Sequence, residues 1–222
     1  MLYLYHKEAN AFNLTLLGDE HRYIFKVRRC KLSDTLYLRN LKDELLYRYD
    51  ITHIDKFSAT LELQESQVVE IKARASLHIG WCIIDAKNIE KVLPLLNEMG
   101  VEKITFIYCK RSQKSFKVDF KRLDKILLNS SQQSGRSQMM QLDISKDLES
   151  FLIQNPQSKI LNFSENKIIS QESIETIVIG CEGGFHPDEV NLFEPGNIVG
   201  FDTPLILKSE SAVCAVASKL LL

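Results

Sequence analysis

The stretch IVIGCEGGFHPDEV, residues 177–190, sets a carboxylate, two glycines and a helix start directly behind a run of β-branched residues. Gly183 and Gly184 can adopt positive φ and let backbone approach a ligand closely. Pro187 suits the first turn of a helix, and Asp188 and Glu189 complement that helix's dipole. A tight turn from strand to helix explains the same residues without any ligand. The run is neither G-x-G-x-x-G nor a P-loop ending in Lys-Ser/Thr, which argues against a dinucleotide or nucleotide-triphosphate site. Two other apolar runs end in comparable loops, KILNFSEN (159–166) and NIVGFDTPLILKSESA (197–212). Ligands of open α/β sheets bind at the carboxyl ends of strands, so these three ends are candidate walls of one pocket.

A second chemistry is electrostatic. The chain's formal net charge is only -1, but thirteen Lys/Arg against six Asp/Glu fall in residues 71–140. A basic middle on a neutral chain suggests a local face for a polyanion. Lys110, Arg111, Lys114 and Lys117 fall in a loop beyond a strand end, where they can reach phosphates. Lys121, Arg122 and Lys125 read instead as a solvated helix face. Arg28 and Arg29 form a second basic candidate near the N-terminus.

The elements that must position these groups follow from periodicity. DTLYLRN, LLYRYDITHID and SATLELQES alternate apolar and polar residues, which predicts strands with one wet face over residues 1–70, in a small barrel or sandwich. Over 71–222 the rhythm becomes strand, helix, strand, helix, which predicts a mainly parallel sheet covered on both faces. SLHIGWCII, KITFIYC, KILNF, TIVIG and NIVGF read as its strands. KNIEKVLPLLNEMGV puts Ile89, Val92, Leu93, Leu96 and Met99 on one helical face and stops at Gly100. SESAVCAVASKLLL closes the chain as a small-residue helix. At 45% hydrophobic and 26% charged, with no apolar run of membrane-spanning length, the chain reads as a soluble globular protein. Five scattered cysteines without a CxxC argue against a zinc site or a disulfide framework, and for a cytoplasmic protein without a metal. Cys181 and Cys214 read as buried small hydrophobes.

Taken in order, the motifs resemble those of the SPOUT class of RNA methyltransferases, and within it the RsmE-type 16S rRNA uridine-N3 methyltransferases. That family's GPEGG(F/L)xxxE is matched by Gly180-Cys181-Glu182-Gly183-Gly184-Phe185 with Glu189 downstream. Its (I/V)LRTETA is matched by Ile206-Leu207-Lys208-Ser209-Glu210-Ser211-Ala212, and its EQxxR in part by Gln132-Gln133-Ser134-Gly135-Arg136. ELGV reads Glu98-Met99-Gly100-Val101, and H…VLR…GD resembles His21…Val27-Arg28-Arg29…Ser33-Asp34. The likeness spans nearly the whole chain. Cys181 stands where the family has Pro, Lys208 and Leu205 where it has Arg, Thr203 where it has Gly, and Leu95 where it has Lys.

The resemblance implies an N-terminal PUA-like β-barrel (1–70) that helps hold rRNA, followed by a SPOUT α/β trefoil-knot domain (71–222). It implies S-adenosylmethionine held by the three strand-end loops, a homodimer, and the 16S rRNA of the small ribosomal subunit as substrate. Leu161, Ile179, Leu205 and Leu207 would wall the adenine, with Asn162, Gly180, Glu182, Gly183, Gly184, Gly200 and Ser209 completing the pocket. Gly180, Gly183, Gly184 and Gly200 are its expected close-approach positions, and Glu182 is expected to hold loop amides. Arg28, Arg29, Lys110, Arg111, Lys114, Lys117 and Arg136 would meet RNA. Uracil N3 is a poor nucleophile until its proton is lost, so Glu210 is a candidate base, with Lys208 stabilising charge on the uracil oxygens. Glu210 reads equally as a first-turn acid capping the last helix. The alternatives are a non-catalytic ribosome-associated RNA-binding protein that kept the fold, and a SPOUT enzyme with another RNA target.

Overall fold

The computed structural model describes residues 2–112, 117–168 and 173–222. It divides into two compact units: residues 1–72 with 131–138, and residues 73–130 with 139–222.

In the first unit, five strands make one sheet in the order β1-β3-β4-β5-β2. They are β1 (Leu4–Tyr5), β2 (Asn13–Leu17), β3 (Thr35–Arg39), β4 (Leu45–Ile54) and β5 (Ser58–Val68). β1 runs parallel to β3 and the other pairs are antiparallel. Alternation in β2 and β3 turns Leu14, Leu16, Leu36 and Leu38 into a core shared with Tyr49, Ile51 and Leu61. Register shifts after Arg48 and Ile51 bend the long β4–β5 pair. The periodicity missed β1, β2 and the short helix α1 (Gly18–His21), which runs on into a π-helical turn, Arg22–Val27. At two to five residues these elements are too brief to show a period. Arg39 is a buried cation whose guanidinium donates to the carbonyls of Glu44, Leu45 and Val69 and lies 5.4 Å from the centroid of the Tyr3 ring.

The second unit is built on six parallel strands in the order β11-β9-β10-β6-β7-β8. They are β6 (His78–Cys82), β7 (Lys103–Ile107), β8 (Gln141–Ser145), β9 (Lys159–Leu161), β10 (Thr176–Ile179) and β11 (Ile198–Val199). Its helices are α2 (Ala86–Met99), α3 (Phe120–Ser134, of which residues 131–134 are counted with the first unit), α4 (Leu148–Gln154), α5 (Pro187–Val190) and α6 (Ser209–Leu221). The Asp85 carboxylate caps α2 by accepting from the Lys87 amide, and Gly100 ends it at φ 99°. Ile89, Val92, Leu93 and Leu96 are buried along one face, as a 3.6-residue period requires. β8 and α4 carried no clear sequence signal, because the alternation in β8 leaves three of its five residues exposed.

The chain enters this sheet at β6, builds outward through β7 and β8, then returns to lay β10 against the other side of β6. Strand order therefore reverses between β6 and β10, and β9, β10 and β11 lie side by side on the far side of the reversal. β6, β7 and β10 are nearly continuous buried apolar residues, as a sheet covered on both faces demands.

The cysteine reading needs a correction. Cys82 and Cys109 are joined as a disulfide, leaving Cys30, Cys181 and Cys214 free. Register sets Cys82 opposite Ile107, and the chain turns just beyond it, with the Cys109 amide donating back to the Ile107 carbonyl. The two Cα atoms are thereby brought to 5.7 Å, within bridging range. Sequence spacing of 27 residues holds no trace of this. No helix among the described residues is long and apolar enough to cross a membrane.

Candidate active site

The three strand ends singled out in the sequence converge. Loops following β9, β10 and β11 enclose a cavity of about 500 Å³, the size of a small-molecule site. All eleven positions expected around a cofactor line it: Leu161, Asn162, Ile179, Gly180, Glu182, Gly183, Gly184, Gly200, Leu205, Leu207 and Ser209. The wall also contains Phe185 of the glycine motif, and Phe163, Lys167 and Phe201, which the sequence reading did not single out.

Backbone hydrogen bonds weave the loops together. The Asn162 amide donates to the Val199 carbonyl, the Gly200 amide to Asn166, and the Ile168 amide to Gly200. Gly200 is a packing requirement: a Cβ there would lie 3.0 Å from the carbonyl oxygens of both Asn162 and Ser164. The turn after β10 closes through the Gly184 amide and the Cys181 carbonyl, 2.9 Å apart. Gly184 has φ 65°, and nothing lies within 4 Å of where its Cβ would project. So the glycines of the site differ in purpose. Gly184 meets open space, Gly200 meets neighbouring backbone, and Gly183 lies against the Arg111 side chain.

Two buried networks fix the frame. The Trp81 indole donates to Ser209 Oγ at 2.9 Å, and Ser209 Oγ donates to the Gly180 carbonyl at 2.6 Å. A core strand, the head of the last helix and the turn after β10 are thus tied through one hydroxyl. The other network is centred on Glu189, 4% exposed. Its Oε1 accepts from the Lys110 amide and its Oε2 from the His186 amide, each at 2.8 Å. His186 caps α5 in turn, with Nδ1 accepting from the Asp188 amide. The carboxylate holding loop amides is therefore Glu189. Glu182 is exposed and makes no hydrogen bond among the described residues. The sequence showed Glu189 as a helix-dipole acid and as the last position of the glycine motif, without its role in holding the loop.

Glu210 and Lys208 flank Ser209, and neither is a lining residue of the cavity. Lys208 is the N-cap position of α6 but makes no side-chain cap. Glu210 does not cap the helix either: its Oε2 is buried and meets no hydrogen-bond partner among the described residues. A carboxylate oxygen so placed is costly unless something donates to it. Burial pushes the Cys181 thiol up, and burial with the Glu210 carboxylate does the same for Cys214, so neither is poised as a nucleophile.

The basic positions scatter. The Arg111 guanidinium donates to the Gly183 carbonyl at 2.6 Å, and Lys110 pairs with Asp188. Lys117 is exposed, and Lys114 lies outside the described residues. Arg28 and Arg29 are exposed in the first unit, Arg29 at φ 60°. Arg136 is buried, with Nε donating to the Gln138 carbonyl and its own carbonyl receiving the Tyr3 hydroxyl at 2.9 Å. Arg122 pairs with Glu90 across neighbouring helices.

Residues 72–221 match the model of a family described as RNA methyltransferase domain. A Helicobacter pylori protein (strain ATCC 700392 / 26695) named Ribosomal RNA small subunit methyltransferase E is 36% identical over 222 residues, covering 98% of both chains. A Rickettsia conorii protein of the same name is 25% identical, covering 100% of this chain and 95% of that one. Among solved structures, Ribosomal RNA small subunit methyltransferase E from Neisseria gonorrhoeae bound to S-adenosyl methionine superposes with a TM-score of 0.78 at 20% identity, covering 98% of this chain and 95% of the other.

Proposed function

The chain belongs to the RNA methyltransferase family, and on that premise we propose that it transfers the methyl group of S-adenosylmethionine to N3 of a uridine in small-subunit (16S) ribosomal RNA. The observation that carries this reading is the cavity beyond β9, β10 and β11. It fits the cofactor in kind. Leu161, Ile179, Leu205 and Leu207 offer an apolar wall, and the glycine turn offers open space at Gly184 rather than a side chain.

S-adenosylmethionine supplies a methyl group already activated on a sulfonium. Leu161, Ile179, Leu205 and Leu207 would enclose the adenine, and Asn162, Gly180 and Gly183 would offer backbone groups to its polar edges. Ser209 acts through its hydroxyl on the frame of the pocket. What remains is to position the uracil and remove its N3 proton. Glu210 is the base, being a carboxylate with one oxygen free of intramolecular partners among the described residues. Lys208, exposed beside it, balances charge on the uracil oxygens. Arg28, Arg29 and Lys117 are exposed cations that contact RNA phosphates.

The first unit acts as the PUA-like barrel of this architecture. The interlaced hydrogen bonds between residues 162–168 and Gly200 support a trefoil knot in the second. Phe163, Leu205 and Ile206 are 79%, 71% and 80% exposed beside the cavity, which supports a homodimer in which a second copy covers them. The enzyme works in the cytoplasm, where its substrate is assembled.

The test is methyl transfer from tritiated S-adenosylmethionine onto small ribosomal subunits from a strain lacking the protein, with nucleoside mass spectrometry of the product. Appearance of 3-methyluridine is expected. Cofactor binding without transfer to subunits or naked rRNA would point to another RNA. Failure to bind cofactor would favour an RNA-binding protein that kept the fold.

A further inference from the structure

Two adjacent residues of the turn after β10, Gly183 and Gly184, lack side chains and have more backbone freedom to lose than other residues would. Ordering that turn around a ligand costs binding free energy unless something orders it beforehand. The structure supplies that from outside the cavity, through the turn that follows β7. Arg111 Nη1 donates to the Gly183 carbonyl at 2.6 Å across 72 positions of sequence, and its Cδ lies 3.4 Å from where a Gly183 Cβ would be. The adjacent Lys110 amide is held by Glu189 Oε1, while Glu189 Oε2 holds the His186 amide on the far side of the same glycines. Glu189 is buried, so these are charge-assisted bonds in a poorly solvated place, where losing one counts. The Lys110–Asp188 ion pair is exposed and adds little on its own.

We infer that Glu189 and Arg111 are positioning residues that pre-order the Glu182–Gly184 turn for the cofactor, so that Arg111, a basic residue that sequence alone assigns to RNA, serves the cofactor side of the reaction. This rests on reading the cavity as the S-adenosylmethionine site. Arg111 is exposed, so its replacement leaves folding intact.

The experiment is calorimetric titration of S-adenosylmethionine and S-adenosylhomocysteine into the full chain, its variants R111A, R111K and E189Q, and the control K121A. Amide exchange at Gly184 is followed in parallel. R111A and E189Q are expected to bind both ligands about three- to tenfold more weakly, on the order of one net hydrogen bond. R111K should recover part of the loss, K121A should bind as the unaltered chain does, and the Gly184 amide should exchange faster in R111A. The sign is diagnostic for S-adenosylmethionine, which carries a net positive charge. Removing a nearby cation for purely Coulombic reasons would tighten its binding. Unchanged or tighter binding by R111A, or a loss confined to affinity for an RNA fragment, would overturn the inference. An unaltered chain that binds neither ligand would overturn the cofactor reading and this inference with it.

Discussion

At the scale of single residues, two side chains at the head of α6 carry opposite expectations. Glu210 has a buried oxygen without a partner among the described residues, and a polar atom so placed opposes folding until water or a ligand donates to it. Glu210→Gln should therefore cut the rate of methyl transfer about a hundredfold or more while leaving the urea midpoint unchanged or higher. A fall in both would mark Glu210 as a structural acid. Ser209 is the reverse case, a hydroxyl spent entirely inside the protein between Trp81 and the Gly180 carbonyl. Ser209→Ala strands a buried indole N–H and a carbonyl, and should cost about 2 kcal/mol in urea unfolding. It should also weaken binding of S-adenosylhomocysteine, because Gly180 begins the turn. The motif SES showed that a serine stands there. That its hydroxyl faces Trp81, 128 positions away, depends on the register of β6 against β10.

At the scale of elements, β6 is the strand on which the sheet turns, and it opens with a titratable group. His78 Nε2 lies 2.8 Å from Thr105 Oγ1 on β7, and its ring meets Phe151 of α4 edge-on. Burial first, and then the nearby Lys103 ammonium, lower its pKa from 6.5 to about 4. The unfolded chain takes this proton near pH 6.5 and the folded protein only near 4, so between those values the unfolded state binds more protons. Stability from His78 is thus fully present above pH 6.5 and is lost as pH falls toward 4. Because the ring is partly solvated, the loss should be modest, about 1–2 kcal/mol. Thermal unfolding followed from pH 7 to 4 should show it, and His78→Asn should flatten that part of the profile. An identical profile in the variant would assign the acid sensitivity elsewhere. The long amphipathic elements α2, α3, β4 and β5 were legible because their period repeats several times. β1, β2, α1, β8 and α4 were not, because they are short or mostly exposed and take their shape from neighbours.

At the scale of the whole molecule, the net charge of -1 conceals a basic middle segment, and the structure divides its cations by task. Arg122 pairs with Glu90, Arg136 is buried, and Arg111 and Lys110 hold the turn after β10, while Lys117, like Lys87, Lys91, Lys121 and Lys125, is exposed. Lys117→Ala should weaken RNA binding uniformly across sequences and reduce the slope of log K against log salt by about 0.9, the release of one phosphate's counterion. An unchanged slope would remove Lys117 from the RNA contacts.

The sequence by itself determined the ingredients: a period-2 segment ahead of an alternating α/β segment, three strand ends followed by candidate loops, one with a glycine pair, and the motif order that resembles one methyltransferase class. These are local or ordered along the chain, so residue type and spacing suffice to see them. Only the tertiary structure decided what each ingredient does. Parallel register brought Cys82 to Cys109 and Trp81 to Ser209, and the adjacency of β11, β9 and β10 in the sheet set three distant loops around one cavity. It also moved loop support from Glu182 to Glu189 and turned Arg111 inward to Gly183. Such assignments depend on which buried polar group finds which partner, and pairings between residues far apart in sequence leave no period or spacing from which to infer them.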